Sequence, residues 1–359
     1  MGRRNPAFHR RCGTTTSINA QTRARLFIVL FSAAGGCISD AHDNGGSDLW
    51  DAASSRPRTF ASASWDTLWV LGGPEDTLLL QPAYLQADRH GVYVYEFGAG
   101  RLVALAADGR IRWSFGRLGS GPGEFSNVRD MKIDTDGKIW LYDVGNQRVT
   151  RLTPSGELDL EIRVAAAERG EQMVPVDDTT AAIFTFADTT PIVLVAESGE
   201  VLDRRTLPWP AFESLHVLQR QGVAVSNSFG WGYLLGQGNG WFVFERGGRR
   251  RTQSYVEHNP MAELVREGTA RMQATRISGD ASCTACSAAL MGDTLVVHFG
   301  GASEQKYRLL DRYDWRTGEY LSTIVLPLQV PRVTVYGDRV YVLYLSGYPT
   351  LMALRYRVP

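Results

Sequence analysis

An excess of either charge is what this sequence most plainly lacks: Lys and Arg number 38, Asp and Glu number 38, and the formal net charge is +0. No long-range field draws the chain toward nucleic acid or acidic lipid, so a nucleic-acid partner is not expected. Arg249, Arg250 and Arg251 follow Gly247 and Gly248 and read as a solvated turn. Histidine is scarce, and none of His9, His42, His90, His216, His258 and His298 forms a ligand-spaced cluster. Neither G-x-S-x-G nor H-E-x-x-H occurs, which excludes a nucleophile elbow and a helical metal pair as motifs, although a convergent triad needs no motif. Asp134 and Asp136 begin like a calcium loop, but no bidentate Glu follows at the required spacing. No metal and no cofactor are expected.

Cysteine is also sparse. Cys283 and Cys286 form a single C-x-x-C, which leaves no second pair for a four-cysteine zinc site once Cys12 and Cys37 are assigned to the N-terminal region. A local disulfide is favoured over two free thiols. Thioredoxin-like chemistry would need the pair at a helix start, and this region is strand-rich.

A hydrophobic run long enough to span a bilayer is missing too. Arg23 and Arg25 precede "LFIVLFSAA", about a dozen apolar or small residues against the ~20 a spanning helix needs. Ala34, Gly35, Gly36 and Cys37 then resemble the lipobox of bacterial lipoprotein signals, with Ala34 where leucine is preferred. The resemblance implies a signal peptide over 1–36, lipidation of Cys37 and a place in the bacterial cell envelope, periplasmic or at the outer membrane. The small, polar, aperiodic stretch 37–64 reads as a flexible tether.

Internal repetition organises the rest. Residues 85–112 and 131–159 align through Asp88/Asp134, Gly91/Gly137, Tyr95/Tyr142, Gly98/Gly145, Arg101/Arg148, Leu105/Leu152 and Gly109/Gly156. Each copy consists of short β-branched and aromatic runs between Asx and Gly turns, about four antiparallel strands that must stack on neighbours to bury both faces. The stretch 116–164, from "GRLGSGPGEF" to "LDLEIRV", resembles an NHL-type repeat of six-bladed β-propellers. That implies an all-β fold over 65–359, with six blades of four antiparallel strands. Further blades are read at 173–207, 214–256 and 277–327, and from Val333 onward. The last blade has only three strands before Pro359, so "WDTLWVLG" at 65–72 is expected to supply the fourth and close the ring.

Three glycines and a proline in "LGSGPGEF" at 118–125 could cradle a phosphate. Pro122 removes a donor, however, and a strand rather than a helix follows, so a blade-to-blade crossing is the better reading. In such blades the loop between strands two and three shares a face with the link to the next blade. By that count Glu124, Arg129, Asp143, Asn146 and Arg148 are expected on one rim, together with Asn227, Phe229, Trp231, His298 and Tyr348. Packing competes with binding at each position: Asp143 and Arg148 recur as Glu96 and Arg101, the pattern of residues that stitch strands together.

The leading expectation is a monomeric, envelope-anchored, non-enzymatic propeller that offers this face to a protein, peptide or glycan and touches the membrane only through its lipid. The alternative is an exported propeller hydrolase or lyase holding a metal in the central channel. A structural spacer that binds nothing is the third reading.

Overall fold

Strand order follows the repeat. The computed structural model describes residues 55–358 apart from 77, 165–169, 186–190, 208–214, 270–271, 279–281, 302–303 and 346. The expectations placed on 1–54, including Cys37, lie outside the described residues.

After β1 (Phe60–Ala61) and β2 (Ser64–Gly72), the first blade consists of β3 (Pro82–Asp88), β4 (Gly91–Glu96), β5 (Arg101–Ala106) and β6 (Ile111–Phe115). The second is β7 (Val128–Ile133), β8 (Ile139–Asp143), β9 (Arg148–Leu152) and β10 (Leu158–Arg163). The third is β11 (Gly170–Pro175), β12 (Thr180–Thr185), β13 (Ile192–Ala196) and β14 (Val201–Arg205). The fourth runs through β15 (Gly222–Ser226), β16 (Gly230–Leu235), β17 (Gly240–Glu245) and β18 (Arg250–Ser254). A separate hairpin, β19 (Leu264–Thr269) and β20 (Met272–Ile277), precedes the fifth blade. That blade is β21 (Ala285–Met291), β22 (Thr294–Phe299), β23 (Leu309–Asp314) and β24 (Tyr320–Val325), so it begins later than the expected Ile277. The sixth is β25 (Arg332–Tyr336), β26 (Arg339–Tyr344) and β27 (Thr350–Arg357), completed by β2.

Six stacked blades explain why the second strands are buried on both sides. Along β4, Val92 and Val94 pack against Tyr341 and Leu343 of blade six, while Tyr93 and Tyr95 pack toward Met131, Ile139 and Leu141 of blade two. Alternation along the strand thus feeds two different interfaces, where a surface sheet would send one set to water. The core is correspondingly divided into six apolar clusters, one per blade interface.

The chain ends pair as the three-stranded last blade requires. β2 runs antiparallel to β27 from Ser64↔Arg357 to Gly72↔Thr350. Trp69 locks this clasp on the next blade, its indole Nε1 donating to the Ala107 carbonyl at 3.0 Å.

The end of the expected tether needs correction. β1 lies parallel to β24 of blade five, and the Arg56 amide donates at 2.7 Å to the carbonyl of Val256, just after β18 of blade four, so part of 55–63 is docked on the propeller. Composition hid this docking, because it rests on backbone pairing and on one buried arginine, Arg58.

Both turn aspartates of the repeat cap backbone. Asp88 accepts from the His90 amide, and Asp134 accepts from the Asp136 and Lys138 amides and from the Trp140 indole. The 118–125 stretch folds back on itself, with the Phe125 amide donating to the Arg117 carbonyl and the Gly119 amide to that of Phe125. Phe125 is buried between blades one and two. Gly116, at φ +93°, must stay without a side chain because a Cβ there would meet the Phe125 ring at 2.4 Å.

Candidate functional site

The innermost strands β3, β7, β11, β15, β21 and β25 each pair with one neighbour only, leaving the other edge toward a central channel. Four of them carry a register shift near the start, and the residues stepped out of the ladder are Ala83, Arg129, Glu171 and Cys286. A bulge of this kind re-aims a side chain. Arg129, Glu171 and Cys286 accordingly line a cavity of about 290 Å³ at the channel mouth, together with Tyr84, Gln221 and Arg332. Because these positions open the first strands, the mouth lies on the face where the blade links and the strand two to three loops meet.

Charge is arranged in two tiers. At the rim, Arg129 lies 3.7 Å from Glu171, a loose pair, while the Arg332 guanidinium sits 6.0 Å from the centre of the Tyr84 ring. Burial pushes the Glu171 carboxyl above the usual range, with Arg129 opposing. Tyr84 is pushed up to about 12 by burial and then by the charge of Asp130. Deeper in, Asp130 accepts from Lys132 Nζ at 2.9 Å and from the Met131 and Met173 amides at 2.8 and 2.9 Å. Burial nevertheless pushes its carboxyl up, against the pull of Lys132. Gln172 extends the network, accepting from the Ala224 amide at 3.2 Å. Cys283 and Cys286 are joined in a disulfide beside this mouth. Among the described residues, no group of three or more His, Cys, Asp or Glu converges as a metal site would require.

The ten rim residues separate into several roles. Arg129 lines the mouth. Asp143 accepts from the Ser126 and Asn127 amides at 2.9 and 2.8 Å, and Arg148 donates to the carbonyls of Gly121 and Glu124. Asn146 Nδ2 donates to the Gly119 carbonyl at 3.0 Å, and Glu124 holds Arg117 and the Gly121 amide, so these four residues brace the link between blades one and two. The recurring pair in blade one works alike: Glu96 accepts from the Gln81 amide, and Arg101 donates to the Leu78 carbonyl at 3.4 Å. Tyr348 sits in the strand two to three loop of blade six and is exposed.

Asn227, Phe229 and Trp231 do not belong to that rim. The stretch 227–229 joins strands one and two of blade four, on the opposite face, where Asn227 Nδ2 donates to Gly292 in the equivalent turn of blade five. Asn227 also caps the Phe229 amide, and Phe229 lies beneath the guanidinia of Arg251 and Arg316. Trp231 is buried between blades three and four, stacked on Phe244 with ring centres 4.4 Å apart. His298 is at the expected end of β22, but it is 1% exposed and walled off between strands. Burial pushes its imidazole down to about 4.

No family model matches the chain. Human NHL repeat-containing protein 3 is 34% identical over 99 residues, 24% of this chain and 28% of that protein, and the mouse protein is 36% identical over 72 residues, 19% and 21% of the two chains. Over these stretches the chain is weakly homologous to NHL repeat-containing protein 3. It spans less than a third of the length of these curated relatives. Among solved structures, a member of the duf4221 family from Bacteroides vulgatus superposes with a TM-score of 0.50 at 7% identity, covering 83% of this chain and 99% of that one. Virginiamycin B lyase from Staphylococcus aureus gives 0.47 at 11% identity, covering 82% and 99%. At 7% identity the likeness to the Bacteroides vulgatus protein extends to the fold alone.

Sequence reasoning missed Tyr84, Asp130, Lys132, Glu171, Gln172, Gln221, Ser287 and Arg332, all of which line the cavity. A usable signal was present: polar residues interrupt the otherwise apolar first strands at "YLQ", "RDMK" and "EQM", where a core strand would carry none.

Proposed function

We propose that this chain is an exported propeller, lipid-anchored at Cys37, that binds a peptide, glycan or protein partner at its channel mouth and catalyses no reaction. The mouth itself carries the reading: separate blades each present a hydrogen-bonding side chain to one cavity on a rigid ring, an arrangement suited to recognition. The resemblance of the leader and of Ala34 to Cys37 to a lipoprotein signal supports the envelope location; no helix among the described residues is long and apolar enough to cross a membrane. Arg129→Ala is expected to abolish capture of a defined partner from envelope extract, whereas Arg89→Ala, at a strand one to two turn, leaves it unchanged. Equal capture by both variants would remove the channel mouth from consideration. Mass spectrometry of the exported chain tests the anchor, with an acylated N-terminal Cys37 expected.

A lyase or hydrolase reading draws support from Glu171, a carboxyl in the cavity whose raised proton affinity suits proton transfer. Turnover by the purified chain that vanishes in Glu171→Gln would favour it over binding alone.

A further inference from the structure

We infer that the channel mouth recognises the free C-terminal carboxylate of an extended peptide, held between Arg332 and Arg129 beside Tyr84. This deepens the binding reading above and rests on it. Three observations carry it.

The first is unspent donor capacity. Among the described residues Arg332 has no carboxylate within ion-pair distance, and Arg129 has only Glu171, at 3.7 Å and beyond hydrogen-bond length. Two guanidinia in one cavity, ten potential N–H donors by their chemistry, match a planar anion that can accept from both. Inorganic monoatomic anions would use little of that geometry.

The second is placement. Tyr84 stands on blade one, between Arg129 of blade two and Arg332 of blade six, and both cations lower its proton affinity against the larger effect of burial. The two arginines thus flank one aromatic wall, where the carboxylate of a chain end fits with its last side chain against the ring.

The third selects a peptide. The innermost strands turn unpaired edges toward the channel, and backbone N–H and C=O groups along such an edge pair with extended main chain. Gln86 and Gln221 in the same lining offer carboxamides, which complement peptide groups in both donor and acceptor sense. About 290 Å³ is at the lower end of ligand-site volumes, so a chain terminus enters and a folded domain does not.

The experiment uses the full exported chain and two pools of N-acetylated tripeptides, identical except for a free C-terminal carboxylate or a C-terminal amide, with binding read by titration calorimetry. The carboxylate pool is expected to bind, and the amide pool to bind at least about tenfold more weakly, the range for losing a charge-assisted hydrogen bond. Arg332→Ala, at an exposed position that leaves the thermal unfolding curve in place, should weaken the carboxylate pool by about the same factor, with Arg332→Lys recovering part of it. Equal binding of both pools, no effect of Arg332→Ala, or binding of an oligouronate but of neither peptide pool would each overturn the inference. If partner capture through Arg129 persists in that event, the broader binding reading stands. If capture also fails, both fall.

Discussion

Arg58 and Asp311, 253 positions apart, form a bidentate ion pair: Nε donates to Oδ1 at 2.9 Å and Nη2 to Oδ2 at 2.8 Å. Both side chains are nearly inaccessible, Arg58 also pairs with Glu257, and its guanidinium lies 4.3 Å from the centre of the Phe299 ring. Asp311 further accepts from the Thr323 hydroxyl at 2.5 Å. The segment leading into the propeller is therefore pinned to blade five, through Asp311 of β23 and the pairing of β1 with β24.

Removing one partner should be costly. Arg58→Ala leaves the Asp311 carboxylate buried without its cation and is expected to destabilise the fold by about 3–5 kcal/mol. Arg58→Met combined with Asp311→Leu should recover much of the loss, because the buried carboxylate is removed with its cation and Glu257 keeps access to solvent. Denaturant unfolding of the three chains measures both effects, and a single mutant as stable as the parent would deny the latch its role.

Deleting 64–72 should open the ring. β2 is the outer strand of blade six and carries Trp69, whose ring centre lies 6.0 Å from that of Tyr341. Its loss exposes β27 as a free edge, so aggregation or loss of cooperative unfolding is expected. A truncation ending before Ser55 removes none of these contacts, and its melting temperature should match that of the full chain.

His298 predicts an acid-sensitive component of stability. Its folded pKa is lowered from 6.5 to about 4 by burial, so between those values the unfolded chain binds more protons than the native one. Stability from this residue is therefore fully present above about pH 6.5 and declines as pH falls, by up to about 3 kcal/mol below pH 4. His298→Leu should flatten the unfolding free energy across that window. An unchanged slope would place the acid sensitivity elsewhere.

Two glycines separate backbone requirement from composition. Gly116→Ala forces a side chain at φ +93° into the Phe125 ring and should cost about 1–3 kcal/mol or more. Gly247→Ala meets nothing within 4 Å and should be neutral within about 0.5 kcal/mol. Thermal melts of the pair check this directly.

Blades one and two were readable from the sequence because each of their turns carries a residue chosen for backbone reasons: Asp88 and Asp134 cap amides, and Gly109 and Gly156 adopt positive φ. Blade four escaped the same reading. Its first turn is closed by the Asn227 side chain without a positive-φ glycine, while "FGWG" beside it imitates a longer loop, so Asn227, Phe229 and Trp231 were assigned to the wrong face. Asp143 and Arg148 were legible as a recurring pair, and the geometry gives them to the link loop, as a repeat demands.

Local pattern alone determined the strands, the blade rhythm and the clasp, since alternation and turn chemistry act over a few residues and an unpaired last blade requires a partner strand. The channel mouth was decided only by tertiary structure. Arg129, Glu171 and Cys286 reach it through bulges, and Arg332, on the last blade, joins Arg129, on the second, because the ring closes. Which side chains share a cavity depends on how six blades are rotated about one axis, and that rotation is set by packing between blades, which no single stretch of sequence contains.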